Sequence, residues 1–292
     1  MIGYIFAGIA LLGSSIAAII DLKTTEVPDK IPYAMAASAL ILKLLYSIHT
    51  NNFSYLTDSL VVGMAYLVFG FVLYYTGQWG GGDAKVLAAI GFLLPNMPQE
   101  FSSSLSFSFP VAYLINLFFI GSVYMIAYSL ALTLLNPLIA KEFFSETRGQ
   151  YRQLFAEMAL ASSSVVAIPY IILKSLNLSH TIFISFVPSI VALSLGMIFL
   201  LRFLKVVERV AFRRKIPSGK LREGDMIGED IDELGMKSKL IRGITNDEVA
   251  KIQSVRKEVW VKEGVRFVPA FPLSLLAILF YGDVMAIFAA HF

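Results

Sequence analysis

The chain contains no cysteine, which excludes disulfides and any Cys-ligated zinc site. It has three histidines, His49, His180 and His291, scattered over separate polar segments rather than set at ligand spacing, so neither a metal nor another cofactor is expected. Charge is scarce too: only 15% of the 292 residues are Asp, Glu, Lys or Arg, and the net charge of +3 is too small and too dispersed for a nucleic-acid surface. No internal repeat is visible. Residues 1 to 20 lack the basic leading segment and small-residue cleavage site of a secretory signal, and are read as a retained first helix.

What is abundant is apolar sequence. Hydrophobic residues make up 57% of the chain and the mean hydropathy is +0.72, beyond what a soluble domain of this size carries. The expected fold is an all-α polytopic membrane protein with about eight transmembrane helices. The segments run over residues 2 to 20, 31 to 48, 56 to 76, 84 to 95, 109 to 136, 159 to 176, 182 to 204 and 267 to 290. Residues 84 to 95 are too few for an easy span, so that segment either thins the bilayer or is a half-helix shielded by its neighbours. The chain is thereby divided into a membrane core over 1–204, a polar α+β cytoplasmic insertion over 205–266, and a last helix within 267–292.

Orientation follows the positive-inside rule. Segments 49–55, 96–108 and 177–181 contain no Lys or Arg, whereas the opposite set carries Lys23, Lys30, Lys85, Lys141, Arg148, Arg152 and the basic stretch after Lys205. The N-terminus is therefore expected outside a cell membrane, with Asp21 and Asp83 on the cytoplasmic side. Lys43 and Lys174, near outer helix ends, are expected to snorkel.

Smaller signals sit in the connecting segments. Thr245 and Glu248 are spaced as a capping box before a short helix. Val259–Val261 and Val265–Val268 flank Glu263-Gly264 as the arms of a hairpin. Residues 141 to 158 suggest one interfacial amphipathic helix, and Arg209–Lys215 suits an orientation anchor or an anionic lipid surface. Asp283, in the last apolar run, suits a helix terminus or a structural hydrogen bond.

Two carboxylates stand out. Asp21 opens Asp-Leu-Lys-Thr-Thr-Glu-Val-Pro-Asp, residues 21–29, and Asp83 closes Trp-Gly-Gly-Gly-Asp, residues 79–83. Peptide hydrolysis by two aspartates needs one carboxylate to take a proton from water while the other donates to the scissile carbonyl. Closeness of like charges separates the two roles, and the pair titrates as a unit. Asp83 at a helix start suits the base and Asp21 at a helix end the acid. Gly80–Gly82 would supply positive φ and close backbone approach.

These strings resemble the type IV prepilin peptidases and their archaeal preflagellin relatives, membrane aspartic proteases of the Gly-x-Gly-Asp class. The match lies in Asp21 to Asp29 and in Gly80, Gly82, Asp83 and Lys85, and the resemblance covers roughly residues 1 to 136 well and the last helix loosely. The resemblance implies cleavage of a short basic leader from a pilin-like or archaellin precursor at the cytoplasmic membrane surface, with Asp21 and Asp83 catalytic. Glu26, Asp29, Gly80, Gly82 and Lys85 are the candidate substrate contacts, and membrane lipid is the other partner. Nothing resembles the Cys-rich methylating domain of many bacterial members, so proteolysis without methylation is expected. Two other readings compete: a signal-peptide-peptidase or presenilin-like protease, for which Pro269-Ala270-Phe271 is a partial echo, and an ion-coupled transporter using the two aspartates as its site.

Overall fold

A computed structural model of the chain describes residues 2–98, 100–101, 105–175, 181–237 and 243–284, with backbone alone over 181–185. It is an all-α membrane protein with a small three-stranded sheet, and among the described residues six helices are long and apolar enough to cross a membrane. The chain divides into two compact units, Met1–Ala127 with Arg214–Phe292, and Tyr128–Arg213.

In the first unit, α1 (Ile2–Thr24), α2 (Lys30–Thr50) and α3 (Ser54–Tyr75) surround the short helix α4 (Gly81–Leu93). Small residues set the spacing. On α1, Ala7, Ala10, Ser14, Ala17 and Ala18 are buried at three- and four-residue intervals, while Leu12, Ile16 and Ile19 are exposed on the other side. On α3, a β-carbon at Gly70 would stand 2.8 Å from the Ala84 Cα, so the α3 and α4 backbones touch.

Of the two alternatives for the segment from residue 84, the structure takes the shielded half-helix. From Ala84 to Leu94 every residue but Lys85 is buried by its neighbours. Its backbone ends are also satisfied: the Ser59 hydroxyl donates to the Phe92 carbonyl. Lys43 does not snorkel. It is 6% exposed, with Nζ 4.6 Å from the centroid of the Phe6 ring, so a cation–π contact holds it inside the bundle.

The long helix α5 (Phe109–Leu135) begins in this unit, and α10 (Ala270–Tyr281) packs on α1. The expected single helix over 267 to 290 is not formed. Helix α10 stops at Gly282, whose φ of 89° suits glycine, and residues 285–290 lie outside the described residues, as do His180 and His291. Asn116 of α5 holds the break, its Nδ2 donating to the Gly282 carbonyl at 3.1 Å and its Oδ1 accepting from Val284 N–H at 2.9 Å. Asp283, fully buried, accepts from the Ser106 N–H at 2.5 Å and hydroxyl at 3.2 Å, the structural hydrogen bond expected of it.

The polar insertion carries β1 (Arg213–Pro217), β2 (Met226–Ile227) and β3 (Glu258–Lys262) in the order β1-β3-β2, with Ile227 opposite Val261 in an antiparallel pair. Helix α9 (Asn246–Val255) starts at the anticipated capping box, Thr245 Oγ1 accepting from Glu248 N–H and Glu248 Oε2 from Thr245 N–H. Leu221, Ile231, Ile252 and Val259 close a small apolar core. The expected hairpin fails on one arm. Strand β3 pairs with β2, but residues 263 to 267 form no strand, because Phe267 packs instead against Trp79 and Phe271, with ring centroids 5.7 and 5.9 Å apart.

The second unit holds α6 (Pro137–Gly149), α7 (Tyr151–Ser175) and α8 (Thr181–Ala211), and in place of the single interfacial helix over 141 to 158 α6 and α7 meet at Gln150. Helix α6 starts where Asn136 caps the Leu138 N–H and Pro137 takes the first position, and it buries Ile139 with Val206, Val207 and Phe212. Arg202 pairs with Glu157 at 2.8 Å and Arg209 with Glu146 at 2.5 Å.

Candidate active site

Asp21 continues the small-residue stripe of α1. Ala10, Ser14, Ala17 and Asp21 follow one another at four, three and four residues, so the carboxyl enters the bundle on the face that α4 and α10 cover. It is 4% exposed, and its Oδ2 accepts a hydrogen bond from Val268 N–H at 3.2 Å. Three residues on, α1 ends: Thr25 N–H donates to the Asp21 carbonyl at 2.8 Å and Thr25 takes a left-handed φ of 60°, turning the chain out of the helix.

Asp83 is the third residue of α4 and is 7% exposed. Its Oδ2 accepts from Gly80 N–H at 2.9 Å, so it closes the first turn on itself, while Gly80 is extended at the N-cap. None of Gly80, Gly81 and Gly82 adopts a positive φ, contrary to expectation. Their use is close approach. A β-carbon at Gly82 would fall 2.8 Å from Cβ of Val27, so the segment following Asp21 and the segment preceding Asp83 interlock at that point.

The remaining candidates divide. Lys85 Nζ donates to Asp29 Oδ1 at 2.5 Å and stands 5.5 Å from the Tyr33 ring centroid, tying the start of α4 to the start of α2. Glu26 and Gly80 are exposed at the same end of the unit. Pro269-Ala270-Phe271 lies at the start of α10, directly after the residue that holds Asp21.

Several residues of this site were not singled out in the sequence. Trp79 stacks on Phe118 at 5.9 Å and meets Phe267 and Phe271 edge-on or tilted, flooring the Gly-Gly-Gly turn with rings. Val27 and Val268 also belong to it. A three-to-four-residue reading of α1 would have placed Asp21 on the buried face. No local signal could have brought a segment 247 residues away onto it.

A family model described as the type IV leader peptidase family matches residues 8–130. The preflagellin peptidase of Methanococcus voltae is 30% identical over 161 residues, covering 52% of this chain and 67% of that protein. That of Methanocaldococcus jannaschii is 33% identical over 127 residues, 41% of this chain and 53% of the relative. The prepilin peptidase EppA of Methanothermobacter thermautotrophicus is 24% identical over 216 residues, 71% of this chain and 53% of the relative. The matches thus span between about half and two thirds of the relatives' own lengths.

Proposed function

As the chain belongs to the type IV leader peptidase family, we propose that it is an aspartic endopeptidase that removes the leader of a pilin-like or archaellin precursor, with Asp21 and Asp83 as its catalytic pair. One observation carries this reading. Two carboxyl groups, each buried and each held by a main-chain N–H, stand on elements that interlock through Gly82 and Val27 at one end of the bundle.

The chemistry uses one proton shared by the pair. The ionised carboxylate takes a proton from water as its oxygen attacks the scissile carbonyl carbon, and the protonated partner donates to the carbonyl oxygen. Collapse of the tetrahedral adduct breaks the C–N bond, and the departing amine takes up a proton from the pair. No cofactor enters, and the new N-terminus leaves unmethylated. The charge asymmetry of the connecting segments supports a cytoplasmic position for the pair. Exposed Glu26 beside it suits a basic leader; Asp29, already paired with Lys85, is less available.

The test is incubation of the purified chain with a pilin-like precursor, read by the mass of the new N-terminus. Wild type is expected to release an unmethylated product cut just before the hydrophobic helix, and Asp21→Asn and Asp83→Asn to lose at least about a hundredfold in rate. Variants that process as well as wild type overturn the assignment, and products cut inside the transmembrane segment favour the presenilin-like reading.

A further inference from the structure

Each carboxyl of the candidate pair is held by a main-chain N–H that directly follows an aromatic residue. Gly80 N–H, after Trp79, donates to Asp83 Oδ2 at 2.9 Å, and Val268 N–H, after Phe267, donates to Asp21 Oδ2 at 3.2 Å. The two aromatic rings meet, with centroids 5.7 Å apart and planes inclined at 38°. One ring contact thus ties together the two anchors, although they come from segments far apart in the chain.

Both rings are fixed from behind. Trp79 stacks on Phe118 of α5 at 5.9 Å and meets the Phe271 ring at 5.6 Å. Phe267 fills the space beside Gly121 of α5, where a β-carbon would stand 2.8 Å from its Cε2 and Cζ. The main chain at Phe267 is turned on both sides, its N–H donating to the Val265 carbonyl at 2.9 Å and its carbonyl accepting from Ala270 N–H at 2.9 Å. A ring wedged in this way carries the next peptide plane with it, because that plane is rigid and the packing around the ring leaves little slack. Residues 263 to 269 run from the polar insertion into α10, so the Asp21 anchor is delivered by the end of that insertion.

We propose that Trp79 and Phe267 are positioning residues of the proteolytic reaction: their ring contact sets Gly80 N–H and Val268 N–H, and through them the two carboxyl groups, at a fixed offset. The inference rests on the aspartic reading of the site. Misplacing a reacting group by about 1 Å can cost about a hundredfold in rate, so loss of the ring contact is read in kcat. A role confined to filling the core lowers stability and leaves the turnover of each folded molecule alone.

The experiment measures kcat and KM for a pilin-like precursor with the full chain in detergent, each value corrected for the folded fraction from thermal unfolding. Phe267→Leu, which removes Cε2 and Cζ, and Gly121→Ala, whose methyl displaces them, are each expected to lose about tenfold in kcat with KM within about twofold of wild type. Combining the two puts the new methyl in the vacated space and is expected to return kcat to within about threefold of wild type. Trp79→Leu is expected to lose about tenfold, and Trp79→Leu with Phe267→Leu no more than either alone, since both remove the same contact. Should Trp79→Leu not accumulate, Trp79→Phe reads the same quantity. Leu93→Ala opens a cavity at the far end of α4, where Leu93 is fully buried, and is expected to lower the unfolding midpoint with kcat unchanged. Four results overturn the proposal: unchanged kcat in the Trp79 and Phe267 variants, losses that multiply in their combination, a Gly121→Ala loss that Phe267→Leu does not relieve, or a Leu93→Ala loss as large as theirs. A rise in KM at constant kcat also overturns it, by making the rings substrate contacts. A fully active Asp21→Asn variant overturns the aspartic reading itself, an outcome distinct from failure of the ring contact alone.

Discussion

Lys85 and Asp29 face each other at 2.5 Å, and the pair joins the first turn of α4 to the N-cap of α2. Both side chains reach solvent, Asp29 more than half exposed and Lys85 about a quarter, so the attraction is screened. Asp29→Asn and Lys85→Ala are each expected to lower stability in detergent by less than about 1 kcal/mol. Their double-mutant cycle should give a coupling of about 0.3–1 kcal/mol that shrinks as salt rises. Thermal unfolding of the four proteins at two ionic strengths measures it. Zero coupling would remove the pair from the structure's supports and return Lys85 to the list of substrate contacts.

Gly82 is tolerated by no larger residue without displacement of either Val27 or α4, because no room exists for a β-carbon. Gly82→Ala is expected to cost about 1–3 kcal/mol by overpacking, and to reduce precursor processing by tenfold or more through separation of the two carboxyl groups. The second variant Gly82→Ala with Val27→Gly should recover part of both losses, since it removes the Val27 Cβ and Cγ2 that the new methyl would meet. Failure of that rescue would show that the close approach is not what residue 82 provides.

Asp283 and Asn116 make a buried polar junction at the opposite end of α10 from the aspartate pair. Removing one partner leaves the others unsatisfied, at about 1–3 kcal/mol per group. Asp283→Ala and Asn116→Ala are therefore expected to lower the unfolding midpoint, while the folded fraction keeps a pH profile of cleavage identical to wild type. A shifted profile would place Asp283 in the chemistry.

The cysteine-free sequence allows single thiols to report topology without background. Glu26→Cys and Gln78→Cys, both at exposed positions, are expected to react with an impermeant maleimide only after cells are opened, and Asn52→Cys in intact cells. Labelling of residues 26 and 78 from opposite compartments would sink the two-aspartate reading, since each lies a few residues from one carboxyl.

Much of this protein was legible in local sequence because local physics decides it. Apolar runs near 20 residues become helices in a membrane whatever their order, since backbone groups have no other partner there. The capping box at Thr245 forms from residues three apart, and Asp83 at the start of α4 follows from the glycines before it. The two aspartates at one end of the bundle follow from counting crossings.

What only tertiary structure decided involves choices between partners distant in the chain. Residues 265 to 268 alternate like a strand, yet the Trp79 and Phe271 rings and the Asp21 carboxyl draw them out of the sheet. Gly82 reads as a point of close backbone approach, but only the packed structure makes Val27 the group that approaches it. Asp29 reads as a free acid until Lys85 reaches it from 56 residues on. In each case the deciding contact joins segments far apart in sequence, and the free energy that selects it exists only once the helices have packed.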